Sequence, residues 1–163
     1  MKRKNALTLF TGLLLATVAL SAAPAAFAHG GCSTAKAAGD WGFTLSGTAI
    51  LPTGLIPIAA VGRTTLDTGG NATGTEARSV GGGFAEETLT GTLTASPDCT
   101  GTITVKFFES GQLVRTSVVA IVFVNNMREF LGVQESLVLP NGTSLPVVIT
   151  VDAKRIFTAE END

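Results

Sequence analysis

The sequence predicts an all-β fold of consecutive hairpins, a sandwich or a barrel, that follows a cleaved signal peptide. After residue 28 the chain is rich in Thr, Val and Gly, which suit pleated strands and turns, and helical periodicity is almost absent. Turn signals recur at short intervals, for example Pro52-Thr53-Gly54, Gly81-Gly82-Gly83 and Pro140-Asn141-Gly142. The stretches between these turns have the length of single strands, which is typical of an all-β domain.

Residues 1–28 have the three parts of a secretory signal peptide. An uncharged apolar run follows a basic start, and it ends in helix-breaking Pro24 and small residues rather than in charges, unlike a membrane span. The basic start consists of Lys2, Arg3 and Lys4, and the small-residue pattern is Ala26-Phe27-Ala28. We therefore expect cleavage between Ala28 and His29, and export of the mature chain to the periplasm or the extracellular space.

The composition of the mature chain excludes several classes of function. Its 135 residues carry 8 basic and 13 acidic side chains, and no basic stretch occurs beyond residue 4, so we expect no nucleic-acid partner. No second long apolar segment follows residue 28, so we expect no membrane span after cleavage. The single His, His29, cannot supply a zinc site of the His₃ or Cys₂His₂ type, and we expect no metal and no cofactor.

Cys32 and Cys99 are the only cysteines, and an even pair in an exported chain predicts one disulfide. The alternative, a reactive thiol, would require a nearby base or cation, whereas Asp98 beside Cys99 has the wrong charge. The chain then divides into a signal peptide at 1–28, an N-terminal segment at 29–40 tied down by the disulfide, a β-domain at 41–158 and an acidic tail at 159–163.

Eight strands are predicted, each placed by its own pattern. The first alternates Trp41, Phe43 and Leu45 with small residues, the fourth alternates Leu and Gly with Thr, and the fifth places apolar residues on one face. The others are bounded by the turn signals. Their approximate ranges are Trp41–Ile50, Ala59–Asp67, Ala72–Val80, Phe84–Ala95, Gly101–Glu109, Gln112–Val124, Glu129–Leu137 and Leu145–Phe157.

The sixth predicted strand is apolar on both faces from Val118 to Val124, unlike the fourth and fifth, which should each have a wet face. One face of such a strand packs into the core, and the other apolar face must be shielded from water by another part of the chain or by a partner. Two covers are considered: a second copy of the chain, giving a homo-oligomer through the sixth strand, or the apolar loop expected at Leu51–Ile58.

The order of motifs in the first two thirds of the domain resembles a group of small exported bacterial proteins with an allene oxide cyclase barrel-like or lipocalin-like fold. The resemblance covers residues 32–105 and is weak in the C-terminal third. It rests on Ala60-Val61-Gly62-Arg63, Gly70-Asn71-Ala72-Thr73-Gly74, Thr88-Leu89-Thr90-Gly91-Thr92-Leu93-Thr94, Pro97-Asp98-Cys99-Thr100-Gly101 and Gly39-Asp40-Trp41-Gly42-Phe43 after Cys32.

The resemblance implies a single antiparallel up-and-down β-barrel of about eight strands, which agrees with the strand count. It implies no cyclase activity, because no catalytic residue of that enzyme matches a position in this sequence and a shared fold does not transfer chemistry.

Three charged residues are candidate ligand-binding groups. Glu76 and Arg78 lie two apart in the third strand and share a face, and Glu87 has the parity of Leu89 and Leu93, which favours an inward carboxylate. An inward acid paired with an inward Arg could bind the polar head of a ligand. The alternative is that these charges lie on the solvent face in weak surface pairs, as we also expect for Arg63, Lys106 and Arg115; no catalytic residue is assigned.

Three functions are compared. The favoured one is an exported binding module for an apolar or amphipathic small ligand; the alternatives are a structural or self-assembling barrel and an isomerase- or cyclase-like enzyme that uses Glu76 or Glu87 with an Arg. The volume of the interior and the charged groups that line it distinguish them, since a cavity above about 300 Å³ favours ligand binding.

Overall fold

The computed structural model describes residues 31–157 of the 163-residue chain. The expected signal peptide, its cleavage point between Ala28 and His29, and the acidic tail at 159–163 lie outside the described residues. Over residues 31–157 no helix is long and apolar enough to cross a membrane.

The chain forms a closed, eight-stranded up-and-down β-barrel, which confirms the predicted fold class. Each strand pairs antiparallel with its sequence neighbour, and the last strand pairs with the first, so the sheet has no free edge. A 3₁₀ helix at Ala35–Ala37 precedes strands β1 (Gly39–Leu51), β2 (Gly54–Leu66), β3 (Asn71–Val80), β4 (Gly83–Ala95), β5 (Thr100–Glu109), β6 (Gln112–Val124), β7 (Glu129–Val138) and β8 (Val147–Arg155).

The expected loop at Leu51–Ile58 is wrong: these residues form the β1–β2 hairpin, with only Pro52 and Thr53 between the strands. The segment looks like a loop because it contains two prolines. The carbonyl of Pro57 accepts a hydrogen bond from Gly81 N at 2.9 Å, so the backbone C=O and N of this residue point toward the end of β3. The missing N–H of proline therefore removes no hydrogen bond between β2 and β1, and Pro57 is tolerated in the strand. The segment therefore does not cover β6, whose neighbours in the sheet are β5 and β7.

One end of the barrel, here called the base, is closed by the N-terminal segment. The 3₁₀ helix lies there, and Trp41, fully buried, donates its indole N–H to Ala37 O at 2.9 Å. Phe123 and Phe130 pack around Trp41 with ring centroids 5.4 to 6.1 Å apart. These aromatic contacts place the densest part of the core at the base.

A disulfide and the hydrogen bonds of one arginine hold the N-terminal segment on the base. Cys32 and Cys99 form the predicted disulfide, which ties the segment to the β4–β5 turn. Arg155 at the end of β8 donates to the carbonyl oxygens of Ala38 at 2.8 Å and Lys36 at 2.6 Å. The β1–β2, β3–β4, β5–β6 and β7–β8 turns lie at the other end, here called the mouth, as the up-and-down topology requires.

A glycine on β2 allows one aromatic side chain to fold inward. A Cβ at Gly62 would lie 2.3 Å from Cζ of Phe43 and 2.5 Å from the carbonyl oxygen of Thr75. Only glycine therefore fits between these two groups, and the Phe43 ring occupies the space where another side chain would stand.

Candidate functional site

The barrel interior contains a cavity of about 320 Å³ between the packed base and the mouth. The base is filled by aromatic rings, whereas the lining of the cavity includes the short side chains of Ala49 and Ala60, which leave space. The apolar lining includes Phe43, Leu45, Ile58, Val105, Ile149 and Val151, and the polar lining consists of Thr64, Glu76, Arg78, Arg115, Ser117 and Gln134. An apolar pocket with a few polar groups is the usual form of a small-molecule site.

The polar groups on one side of the cavity form a buried charge cluster of Glu76, Arg78, Glu87 and Arg115. Glu76 on β3 and Glu87 on β4 are directly opposite each other in the sheet, and each is only 3% exposed. Arg78 shares the face of Glu76 because it lies two residues further along β3, and Arg115 reaches the cluster from β6. All four side chains therefore point into the mouth half of the barrel.

Ion pairs connect the four members of the charge cluster. Arg78 Nε donates to Glu87 Oε1, and Arg115 donates through Nη1 to Glu87 Oε2 and through Nη2 to Glu76 Oε1. Arg78 Nη2 also lies 3.4 Å from Oε2 of Glu109, an exposed residue at the mouth end of β5. Charge-assisted bonds of this kind hold the guanidinium planes in fixed orientations.

Arg115 is also held by an aromatic ring. Its Cζ lies 3.8 Å from the ring centroid of Phe107, the residue directly opposite it on β5. With one face on a ring and both terminal nitrogens bonded to carboxylates, Arg115 is the central cation of the cluster.

Glu76 has an incomplete set of partners. Its Oε1 accepts from Arg115, whereas Oε2 is the one buried side-chain oxygen or nitrogen within residues 31–157 that has no hydrogen-bond partner. Loss of hydration on burial raises the pKa of the Glu76 carboxyl above its ordinary value of 4.5, and the neighbouring Glu87 carboxylate acts in the same direction against the opposing effect of Arg115. The Glu76 side chain is fully buried, so its unpaired oxygen lies within the charge cluster and is not accessible from the cavity.

A second polar pair lies on the lining at β6 and β7, where Ser117 is the next inward residue after Arg115. The side-chain amide of Gln134 donates to Ser117 Oγ and to the carbonyl oxygen of Ser136, both at 3.1 Å. These bonds use the two N–H donors of that amide within the protein.

The structure places the three sequence-predicted residues together in one cluster. Glu76 and Arg78 share a face, Glu87 points inward, and the alternative of weak surface pairs is wrong for all three. The surface alternative holds for Arg63, whose side chain is 62% exposed beside Asp40.

Lys106 is exposed as well, but the same expectation for Arg115 is wrong, since its side chain is only 15% exposed. Arg115 has the parity of the inward Ser117 and Val119. The sequence could not show this because β6 is apolar on both faces, so its pattern does not say which face is the inner one. A β-bulge near Val114, where the pairing of β5 with β6 shifts, adds to the difficulty.

Within residues 31–157 no group of three or more His, Cys, Asp or Glu side chains is placed to hold a metal ion. The acids of the charge cluster are instead paired with arginines.

Comparison with known proteins supports the fold. No family model and no curated protein matches the chain. Among solved structures, EF1p2_mFAP2b bound to DFHBI is similar with a TM-score of 0.52 and 12% identity over 76% of this chain and 97% of that one. Two others have lower scores: the redesigned β-barrel mFAP1 bound to DFHBI (0.48; 14% identity; 75% and 98% covered) and the redesigned β-barrel b11L5F_LGL (0.49; 12%; 77% and 97%). At these identities the similarity to EF1p2_mFAP2b concerns the barrel fold alone.

Proposed function

We propose that the barrel is a binding module that takes a small apolar or amphipathic molecule into its cavity through the mouth. The observation that supports this is the cavity of about 320 Å³, with an apolar lining and charged groups confined to one side. Its volume falls at the lower end of the range for small-molecule sites, so the ligand is small. EF1p2_mFAP2b, a barrel of similar fold, is bound to DFHBI, which agrees with this proposal without identifying a ligand.

A matched pair of substitutions tests the cavity. Ala60 lines it, whereas the next residue, Ala59, is exposed on the outer face of the same strand. We expect the wild-type protein to enhance the fluorescence of the neutral apolar probe N-phenyl-1-naphthylamine, Ala60→Phe to lose that enhancement because the ring fills the cavity, and Ala59→Phe to retain it. An equal response of the two variants, or none from the wild type, would overturn the proposal.

We also propose that the module acts outside the cytoplasm. The basic and apolar segments of residues 1–28 have the pattern of an export signal, and the Cys32–Cys99 disulfide suits an oxidising compartment. The resemblance of residues 32–105 to small exported proteins of allene oxide cyclase barrel-like or lipocalin-like fold supports the same conclusion. The test is the mass of the protein expressed with its full sequence: a mature chain that begins at His29 is expected, and an uncleaved cytoplasmic chain would contradict it.

A second candidate function, assembly with another copy of the chain, is favoured by the outer face of β6 and β7. Val122 stands opposite Leu131 on this face and Ala120 stands opposite Val133, and the three larger residues are 41%, 46% and 50% exposed. Burying this strip in a second copy would remove apolar surface from water. Light scattering after size exclusion tests it: a dimer that dissociates in Val133→Lys is expected, and a monomeric wild type would rule this assembly out.

A further inference from the structure

We propose that the cavity selects ligands whose polar end carries a hydrogen-bond acceptor, a carbonyl or carboxylate oxygen, and that this oxygen binds the unused guanidinium N–H groups of Arg78 and Arg115. This inference rests on the proposed binding function and specifies the chemistry of the head group. The occupant is an amphipathic ketone, ester, amide or carboxylate whose apolar part lies deeper in the barrel.

The first argument is that the arginines are the charged groups of the cluster that a ligand can reach. The side chains of Glu76 and Glu87 are 0% exposed, whereas those of Arg78 and Arg115 are 21% and 15% exposed. Both arginines line the cavity. A guanidinium group has five N–H donors and no acceptor, so a molecule that contacts the cluster must offer it an acceptor.

The second argument is the set of N–H donors that the protein leaves unused. Arg78 bonds Glu87 through Nε and Glu109 through Nη2, so its Nη1 has no hydrogen bond among the described residues. Arg115 uses Nη1 for Glu87 and Nη2 for Glu76, which leaves its Nε without one. Neither nitrogen is enclosed, because Glu76 Oε2 is the one buried side-chain nitrogen or oxygen in the described part of the chain that lacks a partner. A ligand oxygen can therefore accept charge-assisted hydrogen bonds here without displacing an existing one.

The third argument is the position of the two arginines along the barrel. Arg78 lies near the end of β3 and Arg115 near the start of β6, and both of these strand ends are at the mouth. At the base ends of the strands the lining is formed by Leu66, Ala72 and Phe130, which are apolar. A ligand that enters with its apolar end first therefore brings its polar end to rest beside the two guanidinium groups.

The donors are also held in place before a ligand arrives. Arg115 lies with its guanidinium on the Phe107 ring, and its two terminal nitrogens are bonded to carboxylates. Arg78 is held between Glu87 inside the barrel and Glu109 at its mouth. Binding an acceptor therefore loses little affinity to the ordering of these long side chains.

A matched pair of ligands tests the acceptor by displacement of N-phenyl-1-naphthylamine. 2-Octanone has a carbonyl oxygen, and 2-methyl-1-octene has the same number of heavy atoms and the same branching but a CH₂ group in place of that oxygen. The ratio of their dissociation constants is compared between proteins, so the different cost of removing each ligand from water cancels. Octanoate at pH 7.5 is measured beside them to separate an anionic from a neutral acceptor.

Two variants locate the effect. Arg78→Met removes one guanidinium, while Glu76 and Glu87 both keep their bonds to Arg115. We expect the affinity for 2-octanone to fall about tenfold relative to that for 2-methyl-1-octene, as befits one hydrogen bond to a charged group. Arg63→Met makes the same change on the outer face of β2, where the side chain is 62% exposed, and should leave the ratio unchanged.

Octanoate identifies the kind of acceptor. A loss of octanoate affinity in Arg78→Met that exceeds both the loss in Arg63→Met and the loss for 2-octanone assigns the head group as a carboxylate. A larger loss for 2-octanone assigns it as a neutral carbonyl. Either result supports an acceptor bound by Arg78.

A measurement on the wild type applies even where Arg78→Met does not fold. The infrared C=O band of bound 2-octanone, labelled with ¹³C at the carbonyl, should lie at lower frequency than in hexane, because a hydrogen bond weakens the C=O bond. A band at the hexane position, or affinities for 2-octanone and octanoate that change no more in Arg78→Met than in Arg63→Met, overturns the head-group inference, while displacement of the probe by 2-methyl-1-octene still supports a binding cavity. Failure of the wild type to bind the probe overturns the proposed function instead.

Discussion

Glu76 is the residue on which the energetic balance of the charge cluster depends. Its carboxylate is buried, it shares Arg115 with Glu87, and one of its oxygens has no partner. A buried charge in this position is tolerated only because Arg115 is held against it by Phe107. The two side chains therefore form one energetic unit, and changing one alters the cost of keeping the other.

Replacing Arg115 by Met tests this dependence on the pair. The substitution keeps an unbranched side chain but leaves the Glu76 carboxylate buried without a cation, so we expect the free energy of unfolding in urea at pH 7 to fall by about 3–5 kcal/mol. The double variant Arg115→Met/Glu76→Gln also removes the stranded charge and should be more stable than Arg115→Met alone. A double variant no more stable than Arg115→Met would contradict the stranded charge, and the Glu76→Gln single variant completes the cycle that measures the coupling.

The pH dependence of stability has a defined sign at Glu76. Because burial raises its pKa above the ordinary 4.5, the native state holds more protons than the unfolded state between those two values. The contribution of Glu76 to stability is therefore fully present below pH 4.5 and is lost as the pH rises through the raised pKa.

We accordingly expect the free energy of unfolding of Glu76→Gln, relative to wild type, to increase between pH 4 and pH 7.5, as urea titrations at several pH values can measure. Hydrogen bonds lower the pKa of Asp40, Asp67 and Asp98, so the contribution of these residues to protein stability is lost as the pH falls. That loss is the same in both proteins and cancels in the difference. A difference between the proteins that does not change with pH would contradict the raised pKa of Glu76.

Among the elements, strand β4 was predictable because its Leu and Thr residues alternate between core and solvent, and β5 because Ile103, Val105 and Phe107 share one face. The same alternation correctly predicted that the Glu87 side chain points inward. The first half of β2 was missed because Gly54 and Pro57 are turn signals locally, and only pairing with β1 makes the segment a strand. Arg115 was missed for a related reason: when both faces of a strand are apolar, which one is inward depends on the closed sheet, not on the strand itself.

Gly62 shows how one element makes room for another. Because a Cβ there would overlap the Phe43 ring and the Thr75 carbonyl, we expect Gly62→Ala to destabilise the barrel by about 1–3 kcal/mol through overpacking. Gly42→Ala on β1 is the control, since its Cβ would meet only Ile156 at an ordinary 3.6 Å. Urea denaturation measures both, and an equal loss in the two variants would contradict the steric explanation.

At the scale of the whole molecule, the two ends of the barrel have different tasks. The N-terminal segment, the disulfide and the aromatic cluster close and stabilise the base, and the mouth half keeps an open cavity with its charge cluster. Closure of the sheet lets the strands satisfy one another's backbone groups, so the interior side chains of the mouth half need not be packed solid. A rigid base beneath an apolar cavity is a suitable arrangement for holding a small molecule.

The central claim, that this cavity holds a small ligand within its apolar lining, is tested most directly by NMR of the methyl groups during titration with N-phenyl-1-naphthylamine. Leu45, Leu89 and Ile149 line the cavity, whereas Val61 and Val148 are exposed on the outer surface of the same barrel. We predict saturable shifts confined to the three inner residues, with none at the two outer ones. Shifts at Val61 and Val148 with the inner methyl groups unmoved would contradict the claim.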